Sequence, residues 1–233
     1  MTLKRALVKA TVGLGAAAAL ATAVIGVAHT PWGRPLLQLP LLRAVATQAG
    51  CPVGGIEPAS FEKIRKTKLR GDVGTAEAGA HPALGFVLGQ TSHSDVERWV
   101  SEQHASCKPG LVKSVLECEK VALPGALPIA SLRLQFDASQ RLVSVDLFRS
   151  EGKPQAIVDH FNALGSELDQ KVGPATSTVG TPTVEFVKSA PLQTVTRSYQ
   201  YRDYVATTML MNFGKLGLRM REQYQWLPPE PPA

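Results

Sequence analysis

The chain has 233 residues, of which 44% are hydrophobic and 19% are charged, a composition typical of one ordinary globular domain or two small ones behind an N-terminal extension. Its formal charge is +6, but residues 1–50 hold five basic and no acidic side chains, so residues 51–233 balance 20 basic against 19 acidic groups. The nearly neutral body argues against a nucleic-acid-binding protein, and 17 prolines and 20 glycines argue against a coiled coil or a large helical bundle.

Residues 1–30 have the pattern of a signal peptide or a membrane anchor. Three basic residues precede an uncharged run of 19 residues over positions 10–28. As a helix this run is about 28 Å long, enough to span a bilayer core. We therefore expect an envelope protein that is held to the inner membrane by residues 10–28, with its body outside the cytoplasm. Cleavage near Ala28, which gives a secreted or periplasmic chain, is the alternative.

Residues 31–82 are predicted to be a linker. Within it Pro35–Ala49 is rich in leucine around Arg43, which favours a segment at the membrane interface or against a partner over a second span. Cys51 follows Ala49-Gly50, which resembles the end of a bacterial lipobox, so lipid attachment at Cys51, a free thiol and an intermolecular pairing all stay open.

The linker also contains a short basic helix, predicted from about Ser60 to Leu69. A patch that contacts anionic headgroups next to the leader and a plainly solvated helix face are both consistent with its charges. The candidate membrane-surface residues are Lys63, Arg65, Lys66, Lys68 and Arg70.

Residues 83–150 are predicted to form a first helix-plus-meander unit. Ala83–Leu88 favours a short strand, and Ser94 and Glu97 have capping-box spacing for a helix that ends near His104. Leu111–Val121 reads as a strand. The alternation of apolar and polar residues over 132–136 and 143–147 predicts a hairpin with one buried face.

Residues 151–227 are predicted to form a second unit of the same plan. Pro154 suits the first turn of a helix that runs to about Val172. Strands are predicted at about Thr183–Lys188, Gln193–Arg202, Tyr204–Phe213 and Leu216–Trp226, before a proline-rich tail over 228–233. The predicted fold class is therefore α+β, with helices packed on an antiparallel sheet behind an N-terminal hydrophobic helix, as two tandem units or one continuous sheet.

Cys107 and Cys118 are separated by a turn signal, Pro109-Gly110, that can bring their sulfurs together. A disulfide is the natural interpretation outside the cytoplasm. A zinc site that also uses His104 and His93 is the alternative, but it lacks paired C-x-x-C spacing.

All four tyrosines fall between Tyr199 and Tyr224. Tyrosine supplies contact area at interfaces as well as in cores, so the terminal sheet is either a recognition face or a core. In Tyr204–Phe213 the odd positions are the more apolar set, which predicts that they face the helices and that Tyr204 points away. In Leu216–Trp226 the even positions are predicted to be core. The candidate partner-binding residues are Tyr199, Tyr201 and Tyr204.

Gly89, Thr91 and Val96 open a helix after a short strand, and Leu134-Gln135-Phe136-Asp137 lies on a later hairpin. This pattern resembles the two-layer helix-and-sheet modules of small bacterial envelope proteins, such as the small lipoprotein of the outer-membrane barrel-assembly complex and the tandem β-lactamase-inhibitor proteins. The similarity covers at most about 150 residues, and residues 1–80 have no counterpart in it. It implies a binding or scaffolding module without a cofactor or catalytic residues.

The sequence has no nucleotide-binding fingerprint, hydrolase elbow or metal-binding helix motif. Asp159 and His160 are adjacent on a helix and point about 100° apart, so they cannot form a dyad, and His160 is predicted to be solvated. We therefore expect a non-enzymatic module with no metal or cofactor and with an envelope protein as partner. The alternative is an envelope hydrolase whose site combines a Ser or Cys and an acid with one of His81, His93, His104 and His160.

Overall fold

The computed structural model describes residues 57–150 and 152–228, which form four helices and ten strands. The helices are α1 (Pro58–Arg70), α2 (His93–Glu102), α3 (Pro154–Lys171) and α4 (Val184–Lys188). The strands are β1 (Pro82–Ala83), β2 (Phe86–Val87), β3 (Ser106–Pro109), β4 (Val115–Val121), β5 (Ile129–Phe136), β6 (Leu142–Arg149), β7 (Ser177–Val179), β8 (Thr194–Gln200), β9 (Tyr204–Asn212) and β10 (Leu218–Trp226). The predicted fold class, α+β with helices packed on an antiparallel sheet, is confirmed.

Eight of the strands form one antiparallel sheet in the order β3-β4-β5-β6-β10-β9-β8-β7. The two predicted meanders join where β6 pairs with β10, in a register that places Arg149 opposite Met220 and Ser144 opposite Gln225. The small hairpin β1–β2 stands apart from this sheet. The chain therefore builds one continuous sheet from two successive meanders.

Helix α3 covers one face of the sheet and begins and ends as its sequence predicts. Pro154 occupies the first turn, where its missing N–H costs nothing. The helix contacts β9 and β10. Its buried residues Ile157, Phe161 and Leu168 recur at spacings of four and seven, so one apolar stripe faces the strands.

Helix α2 begins one residue earlier than predicted. Ser92, rather than Ser94, is the N-cap, and it forms a capping box with Asp95. The Ser92 hydroxyl accepts from the Asp95 N–H, and the Asp95 carboxylate accepts from the Ser92 N–H. Two reciprocal bonds satisfy two N–H groups that a helix leaves without partners, which explains why this register is preferred.

The predicted strand Thr183–Lys188 is wrong, because Val184–Lys188 is the short helix α4. Thr183 caps it, since its hydroxyl accepts from the N–H of Phe186 at 3.2 Å. Only Val187 of this helix is buried. The edge strand of the sheet is instead β7, which pairs with β8 over three residues.

The predicted orientation of β9 is also wrong. Its even positions are buried and its odd positions are half-buried, so Tyr204 faces the helices while Met209 and Met211 face away. In β10 the even positions are buried, as predicted, and Tyr224 lies in the core with Trp226 at its edge. The pairing of Met209 with Arg221 across the two strands follows from this register.

The helix-covered face holds two hydrophobic clusters. The larger combines the first meander with β1–β2, α2 and the aromatic residues Tyr199, Tyr204 and Tyr224. The smaller lies between α3, α4 and the middle of β8–β10. On β10 the boundary between them falls at Glu222, since Tyr224 belongs to the larger cluster and Met220 to the smaller.

Candidate functional site

The second face of the sheet is not covered by any helix among residues 57–150 and 152–228, except near α1. We call the central part of this surface the open face. Its side chains come from alternate positions of β6, β9 and β10, and all of them are exposed or half-buried. The open face consists of Asp146, Phe148, Thr207, Met209, Met211, Arg219, Arg221 and Gln223.

An apolar cluster occupies the middle of the open face. Met209 lies opposite Arg221, and Arg221 lies opposite Phe148, so the three side chains form one row across β9, β10 and β6. Phe148 is 37% exposed, as is Phe213 just beyond the end of β9. A depression of about 230 Å³ lies among these residues and Met211. Exposed apolar side chains that are contiguous rather than scattered are typical of a binding surface.

Two arginines frame this apolar cluster. The Arg221 guanidinium stacks over the Phe148 ring at 5.2 Å and donates to both Asp146 oxygens at 2.9 and 2.7 Å. The Asp146 carboxylate raises the pKa of Arg221 further. Arg219 stacks over Phe213 at 5.7 Å and has no carboxylate partner within the described ranges. Arg219 is therefore the cation of this face that is available to an acidic group from outside.

The covered face holds a buried ionic cluster between the two hydrophobic cores. Arg149 Nε donates to Glu222 Oε1 at 2.5 Å, and the side chains are only 3% and 2% exposed. The Tyr224 hydroxyl donates to Glu222 Oε2 at 2.7 Å, and Arg149 also donates to the Leu127 carbonyl. His160 Nε2 lies 3.6 Å from Glu222 Oε1, beyond hydrogen-bond distance. We call these residues the Glu222 cluster.

The Glu222 cluster keeps its carboxylate ionised in spite of burial. Burial alone raises the pKa of Glu222, but His160, Arg149 and Tyr224 together lower it more, so the net pKa lies below its usual value. Two buried polar atoms near the cluster, His160 Nε2 and Thr208 Oγ1, have no hydrogen-bond partner. Thr208 lies directly opposite Glu222 in the β9–β10 pair. Arg149, Glu222 and Tyr224 are almost fully buried and bind one another, which indicates a structural rather than a binding role.

The three candidate partner-binding tyrosines do not lie on an exposed surface. Tyr199 and Tyr204 are fully buried and Tyr201 is 7% exposed. Each hydroxyl donates within the fold, from Tyr199 to Asp169 at 2.9 Å, from Tyr201 to the Pro174 carbonyl and from Tyr204 to the Pro82 carbonyl. Their assignment as a recognition face is therefore wrong. The tyrosines form core, and the open face is built from methionine, phenylalanine and arginine instead.

The basic helix α1 is present, over Pro58–Arg70 instead of about Ser60 to Leu69, but one of its five candidate membrane-surface residues is buried. Arg65 is buried, because it donates to both Glu62 oxygens at 2.8 and 2.7 Å and to the Trp226 carbonyl at 2.9 Å. It fixes α1 where β10 ends and cannot belong to a surface patch. Lys63, Lys68 and Arg70 are exposed, and Lys66 is half-buried beside Glu62 at 3.5 Å. A groove of about 440 Å³ separates α1 from the β5–β6 turn.

The predicted disulfide is confirmed, because Cys107 and Cys118 are bonded across the β3–β4 pair at directly opposed positions. Because both sulfurs are bonded to each other, neither can bind zinc, and the alternative zinc site loses its two cysteine ligands. Cys51, the apolar run 10–28 and the tail from 229 onward lie outside the described residues, and no described helix is long and apolar enough to span a bilayer.

The histidines of the hydrolase alternative are spread over the molecule. His81 Nε2 lies 2.7 Å from Asp203 Oδ2, whose other oxygen accepts from the Ala78 N–H. His93 lies against Glu97 and the Phe136 ring. His104 is exposed, and His160 faces Glu222, so its predicted solvation is wrong. Within residues 57–150 and 152–228 no serine, threonine or cysteine side chain hydrogen-bonds to the imidazole of any of them.

No protein-family model, curated protein or solved structure matches the sequence. The resemblance to small envelope modules therefore stays a prediction.

Proposed function

We propose that this protein is a binding or scaffolding module of the bacterial envelope that captures a protein partner on its open face. The observation that carries the proposal is the apolar cluster of Phe148, Met209 and Met211, which lies exposed between two arginines in the middle of a sheet. The partner segment fits if it presents apolar side chains to this cluster and a carboxylate to Arg219. Methionine and arginine are enriched at protein interfaces, and methionine adapts its shape to a partner.

The rigidity of the sheet also supports a binding role. Each side chain of the open face is held by a strand that is paired on both sides, because β6, β9 and β10 all lie inside the eight-stranded sheet. Arg221 is further fixed by its two bonds to Asp146. A surface that is already ordered before binding loses less conformational entropy when the partner arrives.

The location is proposed from the leader and the disulfide. Residues 10–28 would hold the chain to the inner membrane with its body outside the cytoplasm. The Cys107–Cys118 bond fits an oxidising compartment, because disulfides are rare in reducing ones. The proposed partner is therefore another envelope protein rather than a cytoplasmic one.

Site-specific photo-crosslinking in the native envelope tests the proposal. A photoreactive amino acid replaces Met209 in one variant and Leu111 in a control variant, since Leu111 is 84% exposed on the distant β3–β4 loop. We expect an intermolecular adduct from position 209 and none from position 111. Adducts of equal yield at both positions would argue against a specific face. An adduct from position 209 to residues 1–56 of the same chain would show that the chain itself covers this face.

A charge reversal tests the proposed chemistry of the partner. Arg219→Glu should abolish the adduct formed at position 209, because it repels the expected carboxylate and no described ion pair is lost with it. Lys113→Glu is the matched control, as Lys113 is exposed outside the apolar cluster and no described ion pair involves it. Loss of the adduct in both variants would point to general electrostatic attraction rather than to a site at Arg219.

A further inference from the structure

Two exposed loops lie together at the end of the sheet opposite α1. One connects α4 to β8 over residues 189–193, and the other connects β9 to β10 over residues 213–217. All five residues of the second loop are exposed, and the first loop is exposed up to position 192. β10 begins beside these loops and ends at Trp226, whose carbonyl accepts from Arg65 of α1. We call the two loops the apolar tip.

Asn212 holds the two loops of the apolar tip side by side. Its Nδ2 donates to the Ala190 carbonyl at 3.0 Å, and its Oδ1 accepts from the Gly214 N–H at 3.0 Å. The backbones are joined as well, because the Leu192 N–H donates to the Asn212 carbonyl at 2.8 Å. The apolar tip is therefore ordered by the fold before any partner arrives, which lowers the entropy cost of binding.

The apolar tip exposes three large apolar side chains. Leu192 and Leu216 are each 68% exposed, and Phe213 is 37% exposed. Apolar residues that are scattered singly over a surface are normal, whereas three of them in two adjoining loops are typical of an interaction site.

The backbone of Leu192 makes its exposure more informative. Its φ is 61°, in the left-handed region that glycine and asparagine adopt most readily. A leucine at this position is favoured neither by its backbone conformation nor by its contact with water. Such an outlier is typical of a functional contact. We therefore expect the side chain of Leu192 to contact something beyond the described part of the chain.

The charged side chains of the apolar tip are basic. The two loops contain Lys215 and no acidic residue, and Lys188 directly precedes the first loop. Both lysines are exposed, and neither is paired with a carboxylate among the residues that the structure describes. The apolar tip thus combines apolar side chains with unpaired positive charge.

We propose that the apolar tip inserts into the headgroup region of a membrane that contains anionic lipids. Leu192, Phe213 and Leu216 then reach the boundary of the acyl chains, while the lysine ammonium groups stay among the lipid phosphates. Two five-residue loops suit a fluid surface better than a stable protein interface, which usually takes about 20–30 residues on each side. This inference goes beyond the proposed function, since it holds whether or not the open face binds a protein. It rests on the proposed location in one respect, because it takes residues 10–28 as the anchor.

An anchor at residues 10–28 allows the apolar tip to reach the same membrane. β10 has nine residues, so the sheet is about 30 Å long in this direction. Residues 29–56 connect the anchor to the start of the described chain, and this length of chain covers up to about 100 Å when fully extended. The connection is longer than the sheet, so the end opposite α1 is within reach of the membrane.

Tethering explains why so small an apolar tip is sufficient. Burial of one leucine strengthens binding by roughly tenfold to a hundredfold, and one lysine close to an anionic surface adds about fivefold. These gains are modest for a protein that binds from solution. Tethering raises the effective concentration of the surface to about the millimolar range. The apolar tip is therefore suited to orient an anchored body rather than to recruit a soluble one.

Quenching of a fluorophore by spin-labelled lipids tests the insertion on the full chain. The fluorophore is attached to Leu216→Cys in a Cys51→Ser background, and a control chain carries it at Leu111→Cys, at the other end of the sheet. The vesicles contain phosphatidylcholine and phosphatidylglycerol, with the spin label near the start of the acyl chains. We expect strong quenching at position 216 and little at position 111. Equal quenching at the two positions, or none at position 216, would overturn the inference.

A matched pair of leucine substitutions separates insertion from exposure alone. Leu192→Asn removes one apolar side chain, and asparagine accepts the left-handed backbone, so the fold should be kept. The ratio of inserted to non-inserted chain, measured by quenching at position 216, should fall by at least about tenfold. Leu111→Asn changes a leucine that is 84% exposed and should leave the ratio unchanged. Equal losses in the two variants would contradict insertion through the apolar tip.

A matched pair of charge variants tests the lipid chemistry. Lys188→Gln with Lys215→Gln should lower the same ratio by about 25-fold, at about fivefold for each lysine. Lys68→Gln with Lys113→Gln removes the same charge from exposed sites on α1 and on the β3–β4 loop, and it should leave the ratio unchanged. Equal losses from the two pairs would show general attraction of a basic protein and would overturn the role of the apolar tip.

Flotation of the same full chain with phosphatidylcholine vesicles reports separately on the anchor. A chain that does not float with them lacks a membrane anchor, which contradicts the proposed location. Quenching at position 216 in the anionic vesicles would still support insertion in that case. A chain that floats but shows no such quenching is anchored without insertion, and the inference about the apolar tip alone is then wrong.

Discussion

Arg149 and Glu222 form a buried ion pair between neighbouring strands, with 2.5 Å from Nε to Oε1 and almost no solvent exposure. The pair lies where the two hydrophobic cores of the sheet meet, and α3 covers it through His160. Transfer of two charges from water to such a site is costly, and here hydrogen bonds from Tyr224 and to the Leu127 carbonyl help to offset that cost.

Glu222→Gln should destabilise the protein by about 3–5 kcal/mol, because it leaves the Arg149 charge buried without a counterion. Chemical unfolding of both proteins measures the difference. Asp146→Asn is the matched control, since it breaks the Arg221–Asp146 pair, whose side chains are 38% and 18% exposed. That loss should cost less than about 1 kcal/mol. Equal losses of stability in the two variants would show that the buried ion pair matters no more to folding than the partly exposed one.

The stability contribution of Glu222 should disappear in acid. Its pKa in the folded protein lies below the ordinary value of 4.5, so the folded state favours the ionised form. The contribution is fully present above pH 4.5 and is lost as the pH falls through the lowered pKa of the folded state. Urea unfolding at a series of pH values measures the difference in stability between the wild type and Glu222→Gln. This difference should become smaller as the pH falls below 4.5. A difference that stays constant into strong acid would contradict this assignment.

The tyrosines should resist ionisation while the protein is folded. Burial raises the pKa of Tyr199, Tyr201, Tyr204 and Tyr224 above the ordinary value of 10.0. The folded state therefore favours the protonated form, which gives stability that is present below pH 10 and lost as the pH rises through the raised values. Ultraviolet absorbance of tyrosinate should stay low at about pH 11 in the folded chain and be high in the chain unfolded by urea. A normal titration of the folded chain near pH 10 would show that these residues are exposed.

The disulfide should contribute measurably to stability. Cys107 and Cys118 are 11 positions apart, and closure of a loop of that size stabilises by about 3 kcal/mol in the chain-entropy model. The double variant Cys107→Ser, Cys118→Ser should lose that amount in thermal or urea unfolding. Cys51→Ser is the control and should leave the unfolding midpoint unchanged. A midpoint that shifts with Cys51→Ser instead would place Cys51 in the bonded pair.

The sequence predicted most elements because their signals are local. Pro154 and the apolar spacing that follows define α3, and the alternation in β5 and β6 defines their hairpin, whose bounds differ from prediction by only a few residues. The prediction of a strand over Thr183–Lys188 failed because β-branched and aromatic residues, which favour a strand, outnumber the one helix signal, the capping Thr183.

The face of β9 could not be predicted because buried polar groups invert its pattern. Thr208 and Asn212 make the even positions look polar, yet Thr208 lies beside Glu222 and Asn212 donates to the Ala190 carbonyl. Asn212 is buried with a hydrogen-bond partner that is distant in sequence, and Thr208 is buried although its hydroxyl has none, so neither burial follows from the sequence of β9. The alternation did identify Met209 and Met211 as one apolar set, but it assigned them to the core instead of the open face.

Oxidation of the methionines in native membranes tests most directly whether a partner covers the open face. Met209 and Met211 are half-buried on this face, whereas Met220 is fully buried and serves as an internal control for folding. Mild peroxide treatment followed by peptide mass spectrometry compares membranes with the purified full chain in detergent. We expect Met209 and Met211 to oxidise readily in the purified chain and several-fold more slowly in membranes, while Met220 stays unreactive in both. Equal oxidation rates of Met209 and Met211 in the two samples would show that nothing covers the face and would contradict the proposed binding function.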